Sequence, residues 1–231
     1  MIGWAKHNEW RIPEHFKSDW SLDLECNVDK KDDQSTVRRH AGSRHRMGRL
    51  ITQWALSSFA NLDGAQPYVD AAEHLFARAV ADAWNADGTV GLAYTTDWNG
   101  KPVVTDRMHW TLAESLNTSA TLYAATGEEM YANWYATFAQ YVDEHVIDHE
   151  GGSWFHQLDK NNHVIGTVWP GKSDLYHAFQ STLIPFLDPA VSIATAVKNA
   201  PDRQYLSLLI SSFNDVGPRL ITRASRMDWK C

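Results

Sequence analysis

The chain has 231 residues, 44% of them hydrophobic, and a formal net charge of −7, which is enough apolar material for a sizeable core and the wrong sign for a nucleic-acid groove. No apolar run reaches the length of a membrane span, and no basic stretch followed by an apolar one opens the chain, so neither a membrane nor a secretory signal is expected. The two cysteines, Cys26 and Cys231, make neither a metal spacing nor a disulfide framework, so the expected compartment is a reducing cytoplasm.

Residues 1–34 are polar and aromatic without a clear period. A first helix is predicted over 50–60, where Leu50 with Trp54 and Ile51 with Ala55 show i, i+4 spacing. A second fits 68–84 and stops at Asn85-Ala86-Asp87-Gly88. Residues 91–96 and 101–105 read as two short strands joined across Trp98-Asn99-Gly100-Lys101, an Asn-Gly hairpin signal. Residues 106–125 predict a helix ended by Thr126-Gly127, and 128–147 another, stopped by Asp148-His149-Glu150-Gly151-Gly152. A second hairpin follows, with strands 153–158 and 163–168 around a turn at 159–162. The next helix runs from after Lys172 to about Leu183 and ends at Ile184-Pro185, and a last one fits 190–198.

This order is a repeat: helix, acidic-glycine stop, hairpin, helix at 68–125 and again at 128–184, with Trp98 and Asp159 in matching turns. Such pairs suit a toroid of antiparallel helices whose hairpins and inner helix starts line a central pit. Asp106, His109, Trp110 and Glu114 open one inner helix, Asp174 and His177 the other, so all should point at the same pit. The richest stretch is Trp169-Pro170-Gly171-Lys172-Ser173-Asp174-Leu175-Tyr176-His177, with Gln180 three residues on. A Pro-Gly turn delivers a helix start with Ser173 or Asp174 as N-cap. One turn later His177 is well placed for proton transfer near neutral pH; the alternative is a core histidine bonded to a backbone carbonyl. With 11 histidines and 11 tryptophans in the chain, a cleft that stacks sugar rings on indoles is a natural setting.

From Trp84 to about Ala194 the chain resembles the N-acylglucosamine 2-epimerase family, especially its mannose isomerase and sulfoquinovose isomerase branch. The matching pieces are Ala83-Trp84 with Asp87-Gly88, Tyr94-Thr95-Thr96-Asp97-Trp98-Asn99-Gly100-Lys101-Pro102-Val103-Val104, Arg107-Met108-His109-Trp110, Ala113-Glu114, Gly152-Ser153-Trp154, Leu158-Asp159, and Trp169 through Ile184-Pro185. Upstream, Glu14-His15-Phe16, Trp20, Asn27 and Asp29 also look like this branch. The resemblance implies an all-α fold, a partial (α/α)6 barrel or helical toroid with short β-hairpins between helix pairs. It also implies cofactor-free, metal-free isomerisation or epimerisation of sugars at C2.

Three departures qualify what the resemblance implies. The chain resembles only the C-terminal half of family members, over residues 1–200, so a missing N-terminal half or self-association is an expected partner besides a monosaccharide. The family's Pro-Gly-His motif, followed by Glu-Trp ahead of Gly48-Arg49-Leu50, is absent. One codon choice for residues 40–48, CAC GCC GGG TCA CGC CAT CGA ATG GGG, read one base later, gives Thr-Pro-Gly-His-Ala-Ile-Glu-Trp. A local frameshift over 35–47 is therefore expected, and His45 is not the family histidine. Residues 201–231 match nothing in the family and read as a tail. On these grounds the chain's own turnover is expected to be impaired.

Isomerisation removes a proton from C2 and returns it to C1 through a cis-enediol, which needs a group titrating near neutrality and donors for the developing enediolate. By resemblance, His177 is that base or acid. Trp110 and Glu114 lie at i, i+4 on one helix face: the indole to stack on a sugar, the carboxylate to bond a hydroxyl or orient an imidazole, or simply to sit on the helix surface. Trp154 and His156 alternate on a strand and should share a face, with His156 a polar contact. Asp174 is either a substrate contact or a helix cap, with Lys172 neutralising it. His74, His145, His149 and His163 are expected in solvent. No pair of histidines or cysteines makes a metal site, and no glycine-rich phosphate loop is present. The rival from another class, an inverting glycosidase, needs two carboxylates facing across the pit.

Overall fold

The structure, a computed structural model, describes residues 2–12, 15–23, 48–49, 62–97, 99–173, 175–188, 190 and 192–200. The expected helix at 50–60, the 35–47 stretch, Trp98, Asp174 and the tail at 201–231 lie outside them. Among the described residues helices dominate and strands are short. They are α1 (Ile2–His7), α2 (Leu62–Ala83), β1 (Arg107–Met108), α3 (His109–Thr126), α4 (Glu129–Tyr141), β2 (Gln157–Leu158), β3 (Val164–Ile165), α5 (Leu175–Leu183) and α6 (Ile193–Asn199).

α3 is the central helix, packed on α2, α4 and α5. Its sequence is rich in Ser and Thr, yet it is buried almost all round. The hydroxyls make this possible by turning back onto the helix's own carbonyls: Ser115 to Thr111 at 2.7 Å, Thr118 to Glu114 at 2.7 Å, Ser119 to Ser115 at 2.8 Å and Thr121 to Asn117 at 2.7 Å. A buried hydroxyl satisfied this way avoids the desolvation cost of an unpaired one. The helix ends where Thr126-Gly127 predicts. Gly127 takes the left-handed conformation (φ 71°) and donates its N–H to the Tyr123 carbonyl at 2.8 Å.

The main core lies between α2, α3 and α4. Phe76, Trp84, Trp134, Phe138 and Tyr141 meet there, mostly edge to face, with ring centroids 5.3–6.4 Å apart; such pairs add about 0.5–1.5 kcal/mol each beyond the area they bury. Trp84 and Trp134 are thus packing residues of this core. α4 stops short of the expected 147. A π-helical turn, Val142–Val146, replaces its end, and the Ile147 N–H reaches back to the Val142 carbonyl at 2.9 Å. The wider turn lets Val142 and Val146 both enter the core.

Both acidic-glycine stops are closed by the same device. The Ala93 N–H bonds the Ala83 carbonyl at 2.9 Å, and the Phe155 N–H bonds the Val146 carbonyl at 2.7 Å. The hairpin turns also match, with Asp97 rather than Trp98 as the counterpart of Asp159. Each carboxylate accepts two backbone N–H bonds, from Asn99 and Lys101 at 2.8 and 2.9 Å, and from Asn161 and His163 at 2.8 and 2.9 Å. The hairpins are not isolated, however. Residues 106–108 do not begin a helix: β1 is extended and pairs antiparallel with β2, which pairs with β3, in the order β1-β2-β3 and with Arg107 opposite Leu158. Helix α3 therefore starts three residues later than its periodicity suggests.

Arg107 explains the extended start. Its side chain is fully buried and clasps Asp87 with two bonds of 2.9 Å. It also reaches the Thr105 carbonyl at 2.6 Å and the Thr89 carbonyl at 3.2 Å. Gly91 crosses directly over this fork with φ 123°; a Cβ there would lie 2.6 Å from Arg107 Nε and 2.7 Å from the Tyr141 hydroxyl. Burial alone would raise the Asp87 carboxyl, but the Arg107 hydrogen bonds and charge outweigh it and hold the group below the ordinary carboxylate range. The folded value is thus lower than the unfolded one of about 4. Its stabilisation is complete above that pH and is lost as the pH falls through the folded value. Breaking a buried pair from one side costs about 3–5 kcal/mol. Asp87→Asn should lose about that much in urea unfolding at pH 7, with the gap from the parent narrowing at pH 3; an equal gap at both pH values would place the effect elsewhere.

Candidate active site

The first turn of α3, the start of α5 and the segment before β2 converge. The loop ahead of α5 is held by a Phe155–Lys172 bridge and by the Ser173 N–H on the Trp154 carbonyl at 2.8 Å. The Lys172 ammonium lies over the Phe155 ring, 4.3 Å from its centroid, and pairs with Asp148. Backbone N–H bonds from Gly151 and that ammonium hold the Asp148 carboxyl down at about 2. Lys172 therefore tethers the loop to Asp148; Asp174, the neighbour it was expected to neutralise, lies outside the described residues. Ser173 does not act as the expected cap among the described residues: its buried hydroxyl has no hydrogen-bond partner there.

From this scaffold His177, the third residue of α5, reaches α3. Its Nδ1 lies 3.3 Å from Oε1 of Glu114, off the line of an ideal hydrogen bond. Glu114 is completely buried, and its other oxygen accepts from Nε of Arg49 at 3.2 Å. Burial would raise the Glu114 carboxyl, but its interaction with His177 and the charge of Arg49 outweigh that and keep it below the carboxylate range, hence ionised. The Trp110 ring sits 5.7 Å from the His177 ring at a 39° tilt and is backed by Tyr94, edge-on at 6.0 Å.

Two further imidazoles join them. His109 stands 6.0 Å from His177 and 4.4 Å from His156, nearly perpendicular to both. His156 stacks on Trp169 with centroids 5.3 Å apart at 18°. Trp169 is half exposed and Tyr176 nearly so, whereas His109 is buried and His156, His177 and Trp110 are partly buried. Gln157, fully buried, holds this arrangement from beneath. Its amide N–H groups donate to Asp106 at 2.7 Å and to the Thr167 hydroxyl at 3.0 Å; its carbonyl accepts from the Val168 and Trp169 N–H groups at 3.1 and 3.2 Å. All the bonding capacity of one carboxamide is used to fix the start of α3 and the Trp169 loop.

Of the residues expected to face the pit, the structure therefore brings His177, His109, Trp110, Glu114 and His156 together, and it adds Arg49, Gln157 and Trp169. Asp174 lies outside the described residues. Trp154 is a correction: it belongs to the main core, bridged to Ile147, while a bend at His156 breaks the alternation that was to put both on one face. Of the two roles expected for Glu114, the contacts favour orienting an imidazole: one oxygen accepts from Arg49 and the other faces His177. Among the described residues no group of three or more His, Cys, Asp or Glu is arranged to hold a metal ion, and no helix is long and apolar enough to cross a membrane. His74, His149 and His163 are exposed and His145 partly so.

A helix-rich fold with a site of imidazoles, indoles and a buried carboxylate is what the motifs led to, and the chain belongs to the N-acylglucosamine 2-epimerase family, whose model matches residues 1–181. It is 37% identical over 208 residues to a D-mannose isomerase of Pseudomonas cannabina pv. alisalensis and 38% identical over 199 residues to one of Thermobifida fusca, covering 84% of this chain and 47% of the relative in each case. A crystal structure of a D-mannose isomerase superposes with a TM-score of 0.67 at 26% identity, over 75% of this chain and 44% of the other. The chain thus spans about half the length of the curated relatives it matches.

Replacing a buried tryptophan by alanine typically costs about 3–5 kcal/mol. Trp154→Ala should show a loss of that order in urea unfolding, while Trp169→Ala, at an exposed position, should leave stability nearly unchanged. Equal effects of the two would return Trp154 to the site.

Proposed function

We propose that the chain forms part of an (α/α)6 barrel and takes part in aldose–ketose isomerisation of a mannose-type sugar, with His177 as the proton-transferring group. The observation that carries this is the His177–Glu114 contact inside a ring of indole and imidazole. The carboxylate fixes one nitrogen of the imidazole, so the other, Nε2, moves the proton. In the forward direction Nε2 takes the proton from C2 while a neighbouring imidazole N–H gives one to the C1 carbonyl oxygen, yielding the cis-enediol; that imidazole then takes the O2 proton back as Nε2 returns its own proton to C1, which yields the ketose. Trp110 and Trp169 offer faces for the apolar side of the ring, and His109 and His156 offer N–H groups to its hydroxyls. The family and the two isomerase relatives support this substrate class.

The glycosidase alternative is not favoured. Glu114 is taken up by Arg49 and His177, and Asp106 by Gln157, so neither is disposed as one of two carboxylates facing across a site.

D-mannose in deuterated water is the test. The parent should bind the sugar and exchange its C2 hydrogen, at a rate below that of the longer relatives. His177→Ala should retain binding and lose exchange by about 10²–10⁴-fold, the usual contribution of a general acid–base group. Exchange at the parent rate in that variant would remove His177 from the reaction, and no binding of mannose or fructose by the parent would sink the substrate assignment.

A further inference from the structure

Arg49 approaches Oε2 of Glu114, the oxygen that His177 does not face. Its side chain is 3% exposed and that of Glu114 0%, whereas that of His177 is 15% exposed. One carboxylate is thus shared by a guanidinium and an imidazole from distant parts of the chain, each on its own oxygen.

We propose that Arg49 is a positioning residue for the His177 imidazole, acting through Glu114: by holding the carboxylate ionised and on its own side, it makes Nδ1 of His177 the protonated nitrogen and Nε2 the one that exchanges protons. This rests on the reading of His177 as the proton-transferring group. The physical case has two steps. A carboxyl this deeply buried is driven toward its neutral acid unless a cation answers it. A neutral Glu114 would donate its O–H to Nδ1, and the imidazole proton would then sit on Nε2, the wrong tautomer for a base. Conversely, a carboxylate facing His177 alone would favour the imidazolium, and an imidazolium cannot accept a proton from carbon. Arg49 removes both failures by taking half of the carboxylate. Among the described residues, the other ionisable side chains in ring contact with His177 are His109 from α3, with His156 behind it, and Tyr176 on α5 itself.

The ring nitrogens of His177 report this directly in the 15N-labelled chain, titrated without any sugar. The parent should show the Nδ1–H tautomer when neutral. Arg49→Met should move the His177 midpoint upward by about one pH unit or more, the effect of a full charge at such range, and Arg49→Lys should restore most of the parental value. An unchanged midpoint in Arg49→Met with the neutral imidazole still protonated on Nδ1 overturns the proposal, and so does a parent whose neutral His177 carries its proton on Nε2, a measurement that stands even where Arg49→Met does not fold. The titration is independent of turnover: absent C2 exchange in the parent would fail the functional reading while leaving the Arg49 result intact.

Discussion

The clasp of Arg107 on Asp87 is the constraint from which the rest of the molecule is laid out. It is made inside the protein, with two parallel bonds of 2.9 Å to one carboxylate, and a guanidinium can satisfy that geometry in one orientation only. Holding Arg107 there keeps residues 107 and 108 extended. That lets them pair with β2, and the pairing sets where α3 begins. His109, Trp110 and Glu114 then fall on the turns of α3 that face α5. A change in the clasp would alter the phase of the helix carrying half of the site.

Gln157 complements the clasp. Arg107 fixes the approach to α3 from the first hairpin, and Gln157 ties Asp106, at the same approach, to the loop carrying Trp169. The candidate site is therefore assembled by buried polar groups whose hydrogen bonds are directed at backbone, at a charged partner or at the Thr167 hydroxyl. Such groups carry a high desolvation cost when unmatched, which makes their arrangement specific.

What the sequence made legible was local. The end of α3 at Gly127, the two Asp-led turns and the start of α5 depend on residues within a few positions of one another, and their signals are read from short stretches. The aromatic reading was half right for a physical reason: an indole suits a core and a sugar face equally well. Trp84, Trp134 and Trp154 proved to be core, and Trp110 and Trp169 lie at the site. What stayed hidden was pairing at long range. Arg49 and Glu114 are 65 positions apart, Asp106 and Gln157 51, and no spacing rule connects them. His177 and Glu114 could each be singled out from a short contiguous motif; the Arg49 partner of Glu114 could not.

The Ser- and Thr-rich character of α3 has a mechanical consequence. Side chains that bond back to their own helix are short and already committed, so neighbouring helices can press against the backbone of α3 itself, with few long, hinged groups between. A rod gripped this way transmits displacement instead of absorbing it. The 18 residues of α3 amount to about 27 Å of rigid helix, with Trp110 and Glu114 near one end and Gly127 at the other. A bulky residue introduced far down the rod would swing the near end, so the tolerance of the contact between Glu114 and His177 is set along its whole length.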